Sequence, residues 1–65
     1  MSLIWYNPDL DVYQKGSMRE YDRLLLTSHN KDRFDIVHEF VSTSDHLIDK
    51  ILNSLNLVHL DFQAA

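Results

Sequence analysis

Short β-prone runs fall within the first fifteen residues and over residues 34–41, and apolar positions recur at helical spacing between and after these stretches. Residues 3–7 and 11–15 are short β-prone runs on either side of Asn7-Pro8-Asp9-Leu10. Asn at the first position and Pro at the second favour a type I turn, and Pro8 lacks the N–H that a strand ladder would need. The pattern predicts a β-hairpin with a loop of about four or five residues. Gly16, the only glycine, then ends the second strand.

The next segment opens with Ser17-Met18-Arg19-Glu20, a capping box: the serine oxygen accepts from the Glu20 N–H while the glutamate reaches back. At about 100° per residue, Met18, Tyr21, Leu24, Leu25 and Ser28 share one sector of about 120°. Leu26 lies off that sector, so it is either exposed or committed to a second contact. Thr27 to Asp32 is polar and reads as a helix end and loop. Residues 34–41 predict the strongest strand, with Phe34, Ile36, His38 and Phe40 in the row expected to face the helices and Asp35, Val37, Glu39 and Val41 in the other. Ser42-Thr43-Ser44-Asp45 supplies candidate N-caps for a second helix. Its apolar stripe comprises Leu47, Ile48, Ile51, Leu52 and Leu55, opposite His46, Asp49, Lys50 and Asn53.

The tail admits two readings. Val58, Leu60 and Phe62 alternate with His59, Asp61 and Gln63, which predicts a short strand once Asn56 closes the helix. Val58 also continues the helical stripe, which would carry the helix to about residue 60. The expected architecture is a single small α+β domain over residues 1–65, a ββαβα unit with an extra C-terminal strand as its variant. Two helices would pack on one face of a three- or four-stranded sheet, and the crossover to a final parallel strand would be right-handed.

Composition narrows the class. A 45% hydrophobic fraction, with Trp5 among three Tyr and three Phe, belongs to a chain that folds rather than one that stays disordered. Runs such as Leu3-Ile4-Trp5-Tyr6 are far shorter than the ~20 apolar residues of a membrane span, so no membrane partner is expected. No basic stretch precedes an apolar segment of signal-peptide length. With no cysteine there is no disulfide, thiolate metal site or thiol nucleophile. The chain therefore reads as cytoplasmic.

The net charge of −4 is unevenly spread. Asp9 and Asp11 give residues 1–14 a charge of −2, and Lys15, Arg19, Arg23, Lys31 and Arg33 outweigh three acids to give residues 15–33 a charge of +2. Residues 34–65 carry five acids against Lys50, or −4. The basic third is too weakly basic for a nucleic-acid footprint. The polarity suits matching between protein surfaces, with a solvated mixed surface as the plainer reading.

Candidate chemistry is sparse. His29, His38, His46 and His59 show no i,i+4 pair, so neither a metal nor another cofactor is expected. His38 interrupts an apolar row. It reads either as a sheet-end histidine with one ring nitrogen bonded or as a polar ligand contact. Asp45, His46 and Asp49 share a polar helix face where solvent damps pKa shifts, and Asp45 serves the helix start. One glycine cannot build a phosphate loop. No catalytic residue is assigned, and the chain reads more readily as a non-enzyme than as an enzyme.

The N-terminal hairpin concentrates Trp5, Tyr6 and Tyr13, and strand alternation puts Trp5 and Tyr6 on opposite faces, one of them expected on the open side. Together with Leu26, Val37 and Val41, these form the expected interaction surface. A chain of this size buries apolar area worth roughly 100 kcal/mol against an ordering cost of roughly 98 kcal/mol. That balance leaves a lone copy marginal, and a second copy is the simplest source of further burial. The expected function is a non-enzymatic, self-associating protein–protein interaction module, most simply a homodimer meeting on the strand 34–41 face. The alternative is a small-ligand or peptide-binding domain that uses the aromatic hairpin and His38.

Overall fold

The structure is a computed structural model that describes residues 1–64. Strands β1 (Ser2–Asn7) and β2 (Val12–Gly16) form the hairpin, followed by α1 (Met18–Thr27), a 3₁₀ turn (Lys31–Arg33), β3 (Asp35–Phe40) and α2 (Asp45–Ala64). The sheet has the order β2-β1-β3, with both pairings antiparallel. The protein is thus a small α+β fold of two helices packed with a three-stranded antiparallel sheet.

The run Leu3-Ile4-Trp5 is buried throughout, which requires cover on both sides of the central strand. Leu3 and Trp5 point to one side, where Tyr21, Leu24 and Leu25 of α1 close over them with Phe34 and Ile36. Trp5 meets Tyr21 edge-on at 5.4 Å between ring centroids, and Tyr21 meets Phe34 at 6.0 Å. Ile4 and Tyr6 point to the other side, paired with Lys15 and Tyr13 of β2. There α2 supplies Asp49 to Lys15 and His59 to both tyrosines. The two helices therefore cover opposite faces, and the expectation that both share one face is corrected. The reason lies in β1, because no single layer can bury consecutive residues of a strand.

The hairpin loop is held by side chains. Asn7 is 2% exposed, and its Oδ1 accepts from the N–H groups of Asp9 and Leu10 at 2.9 and 3.2 Å, an Asx arrangement that shapes the turn. Its Nδ2 donates to Gln14 Oε1 at 2.9 Å, beside the Trp5 Nε1 donor at 3.2 Å. Asp11 leaves the loop in the left-handed region, at φ 57°. At Gly16 a Cβ would come within 2.7 Å of the Trp5 ring. The absence of a side chain there lets the indole lie against the strand.

The capping box of α1 is present in full: Ser17 Oγ accepts from the Glu20 N–H at 3.2 Å, and the Ser17 N–H donates to Glu20 Oε1 at 3.2 Å. Strand β3 departs from simple alternation. Ile4 pairs with His38, whereas the next residue, Trp5, pairs with Ile36, leaving Val37 as the extra residue of a bulge. The single row expected for Phe34, Ile36, His38 and Phe40 is therefore split. Phe34 and Ile36 join the core under α1, while His38 and Phe40 pair with Ile4 and Ser2 on the opposite side. Phe34 itself precedes the strand, and Val41 follows it.

Helix α2 runs unbroken from Asp45 to Ala64, so the C-terminal strand is replaced by about two further helical turns. Ser44 starts it, accepting from the Leu47 N–H at 3.4 Å. Asn56 does not terminate it. That side chain is turned sideways to β2, where it accepts from the Tyr13 N–H at 2.8 Å and donates to the Tyr13 carbonyl at 3.1 Å. With its one terminating residue occupied elsewhere, and no Gly or Pro nearby, nothing stops the helix.

Candidate functional site

The features of α2 that bear on function are two rows of side chains, one polar and one apolar. The polar row is Asp49, Asn56, His59 and Gln63. Asp49 Oδ1 accepts from Lys15 Nζ at 2.6 Å, and Asn56 holds the outward-facing backbone of Tyr13. This satisfies an edge-strand donor and acceptor that would otherwise remain available for pairing. His59 Nε2 lies 2.8 Å from Asp11 Oδ1, and its ring meets Tyr6 and Tyr13 edge-on at 5.5 and 5.8 Å. Gln63 Nε2 donates to Asp11 Oδ2. Tyr6 OH donates to Asp11 Oδ1 at 2.5 Å.

These contacts make Asp11 a saturated acceptor. The Tyr6 hydroxyl first, then Gln63 and His59, hold its carboxyl well below the usual carboxylate range. The same hydrogen bond pushes the Tyr6 phenol up, because that hydroxyl is a donor to an anion. Asp49 likewise pushes Lys15 up. An Asp beside a His suggests acid–base chemistry, but here the carboxylate is consumed by three donors, and the group ties the hairpin loop to the end of α2. No group of three or more His, Asp or Glu able to hold a metal occurs among the described residues.

The apolar row is the flank formed by Leu47, Ile51, Leu55, Val58 and Phe62. Ile48, 1% exposed, and half-buried Leu52 face the sheet instead. Ile51, Ser54, Leu55 and Val58 line a shallow open groove with Lys50 at its rim. Val58 is 65% exposed and Phe62 84% exposed. Leu57 and Leu60 are exposed on other sides of the same turns, so the last three turns carry apolar side chains beyond the stripe that docks on the sheet. A helix docked by one stripe has no need of that surplus.

The interaction residues expected from the sequence are not brought together. Trp5 is buried under α1, while Tyr6 and Tyr13 are half-buried beneath His59. Neither Trp5 nor Tyr6 is therefore left on an open side, because both faces of β1 are covered. Leu26 is exposed on α1, Val37 is the exposed bulge residue, Val41 lies exposed just past β3, and His38 is exposed and stacks on Phe40 at 5.7 Å. Sequence reasoning missed the α2 flank because it puts Leu47, Ile51 and Leu55 in the docking stripe, and the strand reading of the tail separates Val58 and Phe62 from them. It missed the polar row for the same reason, although the spacing Asp49, Asn56, Gln63 at seven-residue intervals marks one helical side.

No protein-family model, curated protein or solved structure matches this chain. No helix among the described residues is long and apolar enough to cross a membrane.

Proposed function

We propose that this protein is a non-enzymatic interaction module that works by self-association, with the apolar flank of α2 as its contact surface. The observation that carries the reading is the run of exposed Leu47, Val58 and Phe62 along a helix already docked through Ile48 and Leu52. Exposed apolar area of this kind on a small domain favours a partner. Trp5 is buried and Tyr6 and Tyr13 are half-buried against His59, so the aromatic hairpin offers no exposed aromatic cluster to a ligand. The absence of cysteine suits such a module to a reducing compartment such as the cytoplasm.

A single helix flank covers less than the roughly 800 Å² per partner of a standard interface. Association is therefore expected to be weak, with a Kd on the order of 100 µM. Sedimentation over a dilution series tests this. The wild-type mass should rise towards that of a dimer at several hundred micromolar. Val58→Asp should hold it at the monomer value with an unchanged helical circular-dichroism signal. A wild-type chain that stays monomeric up to about 500 µM overturns the reading.

A further inference from the structure

We propose that the second copy docks antiparallel on α2, about a two-fold axis crossing the helix beside Leu55, so that Lys50 of each copy meets Asp61 of the other. This rests on the self-association reading and specifies its geometry. Lys50 and Asp61 are eleven residues apart, which at 3.6 residues per turn places them about 20° from one another on the same side of the helix. Both are exposed, and neither takes part in a salt bridge among the described residues. Their midpoint falls between Leu55 and Asn56, within the stretch that carries the groove of Ile51, Ser54, Leu55 and Val58.

An antiparallel copy turned about that midpoint satisfies both charges twice, once on each side of the axis. It also sets the two helix dipoles in opposition. A parallel copy would place Lys50 against Lys50 and Asp61 against Asp61, an arrangement that costs rather than stabilises. Ser54, the smallest residue of the groove, lies next to Leu55 near the axis and lets the two helices approach closely.

The competing surface, β3, is less suited to a second copy. Its free edge carries the bulge at Val37 together with Asp35 and Glu39, features that discourage strand-to-strand pairing. Val37→Asp is therefore expected to leave association unchanged.

Charge reversal and crosslinking test the geometry separately from the existence of the dimer. Lys50→Asp and Asp61→Lys should each weaken association by about 5- to 30-fold, as two rim pairs turn repulsive. The double reversal should return the Kd to within about threefold of wild type. The chain has no cysteine, so single cysteines report cleanly. Ser54→Cys should form a covalent dimer on mild oxidation. Leu47→Cys should not, because its mate would lie about 25 Å away along the axis. A dimer in which the two reversals add without rescue, or in which Leu47→Cys crosslinks as readily as Ser54→Cys, overturns the antiparallel geometry and leaves self-association standing. A wild-type monomer at every concentration overturns both.

Discussion

The two faces of the sheet are closed by different means. Under α1, Leu3, Trp5 and Phe34 are buried against Tyr21, Leu24, Leu25 and Ile36, with edge-on contacts from Trp5 to Tyr21 and from Tyr21 to Phe34. Helix α1 follows β2 after one residue and is started by its own capping box, so its approach to the sheet is set locally. Under α2, Ile4 and Ile48 are the fully buried apolar side chains, and the helix is positioned by a series of polar ties to β2 and the hairpin loop. Apolar burial is strong but non-directional, so it can seal a face without selecting a register along it. Directed bonds from Asp49, Asn56 and His59 supply that register for a helix that arrives from the far end of the chain. The face so held buries Ile4 and Ile48 and leaves a surplus apolar flank along its helix.

The contrast makes three predictions. The largest concerns apolar burial. Trp5→Ala should cost about 3–5 kcal/mol, enough to unfold a domain of this size, while Ile48→Ala should cost about 2–4 kcal/mol. Denaturant titration followed by far-UV circular dichroism reads both. A more damaging Ile48→Ala would mean that the α2 side, and not the α1 side, carries the core. The second concerns the local start of α1. Ser17→Ala should destabilise by about 1 kcal/mol by leaving a first-turn N–H unpaired, and an unchanged midpoint would show that α1 is positioned by packing alone.

The smallest effect concerns the polar ties and their pH dependence. Because the Asp11 carboxyl is held below the ordinary range, the folded protein binds fewer protons there than the unfolded chain. Its contribution is therefore present above the unfolded pKa of about 4 and is lost as the pH falls through the lower folded value. Asp11→Asn keeps a residue that tolerates the left-handed backbone at this position. The stability gap between wild type and Asp11→Asn should be constant from about pH 6 to 8 and shrink between about pH 4 and 2. A gap that widens on acidification would show that Asp11 does not act as the anionic acceptor of the cluster.

Much of the local structure was legible in the residues. Ser17 and Glu20 announce the helix start and Asn7-Pro8 the turn, and of the two outcomes open to off-stripe Leu26 the fold shows exposure, at 77%. The candidate site was less legible. The expected surface of Trp5, Tyr6, Tyr13, Leu26, Val37 and Val41 rested on strand alternation continuing unbroken and on one face of the sheet staying open. The bulge at Val37 breaks the first premise, and the two-sided burial of β1 removes the second. The α2 flank stayed hidden because period-two alternation at residues 58–63 also fits a helix with apolar side chains on more than one side.

The sequence by itself determined the elements whose causes are short-range: the hairpin, the capped first helix, the third strand and the start of the second helix. Each depends on hydrogen bonds or apolar spacing within a few neighbouring residues. Tertiary structure alone decided which face each helix covers, where β3 slips by one residue, and how far α2 extends. Those outcomes depend on partners distant in sequence: Tyr21 and Ile36 on Trp5, Asn56 on the backbone of Tyr13, and His59 on Asp11. A strand tail would have needed a free sheet edge to pair with, whereas the helix satisfies its own backbone and gains the ties to β2 along its side.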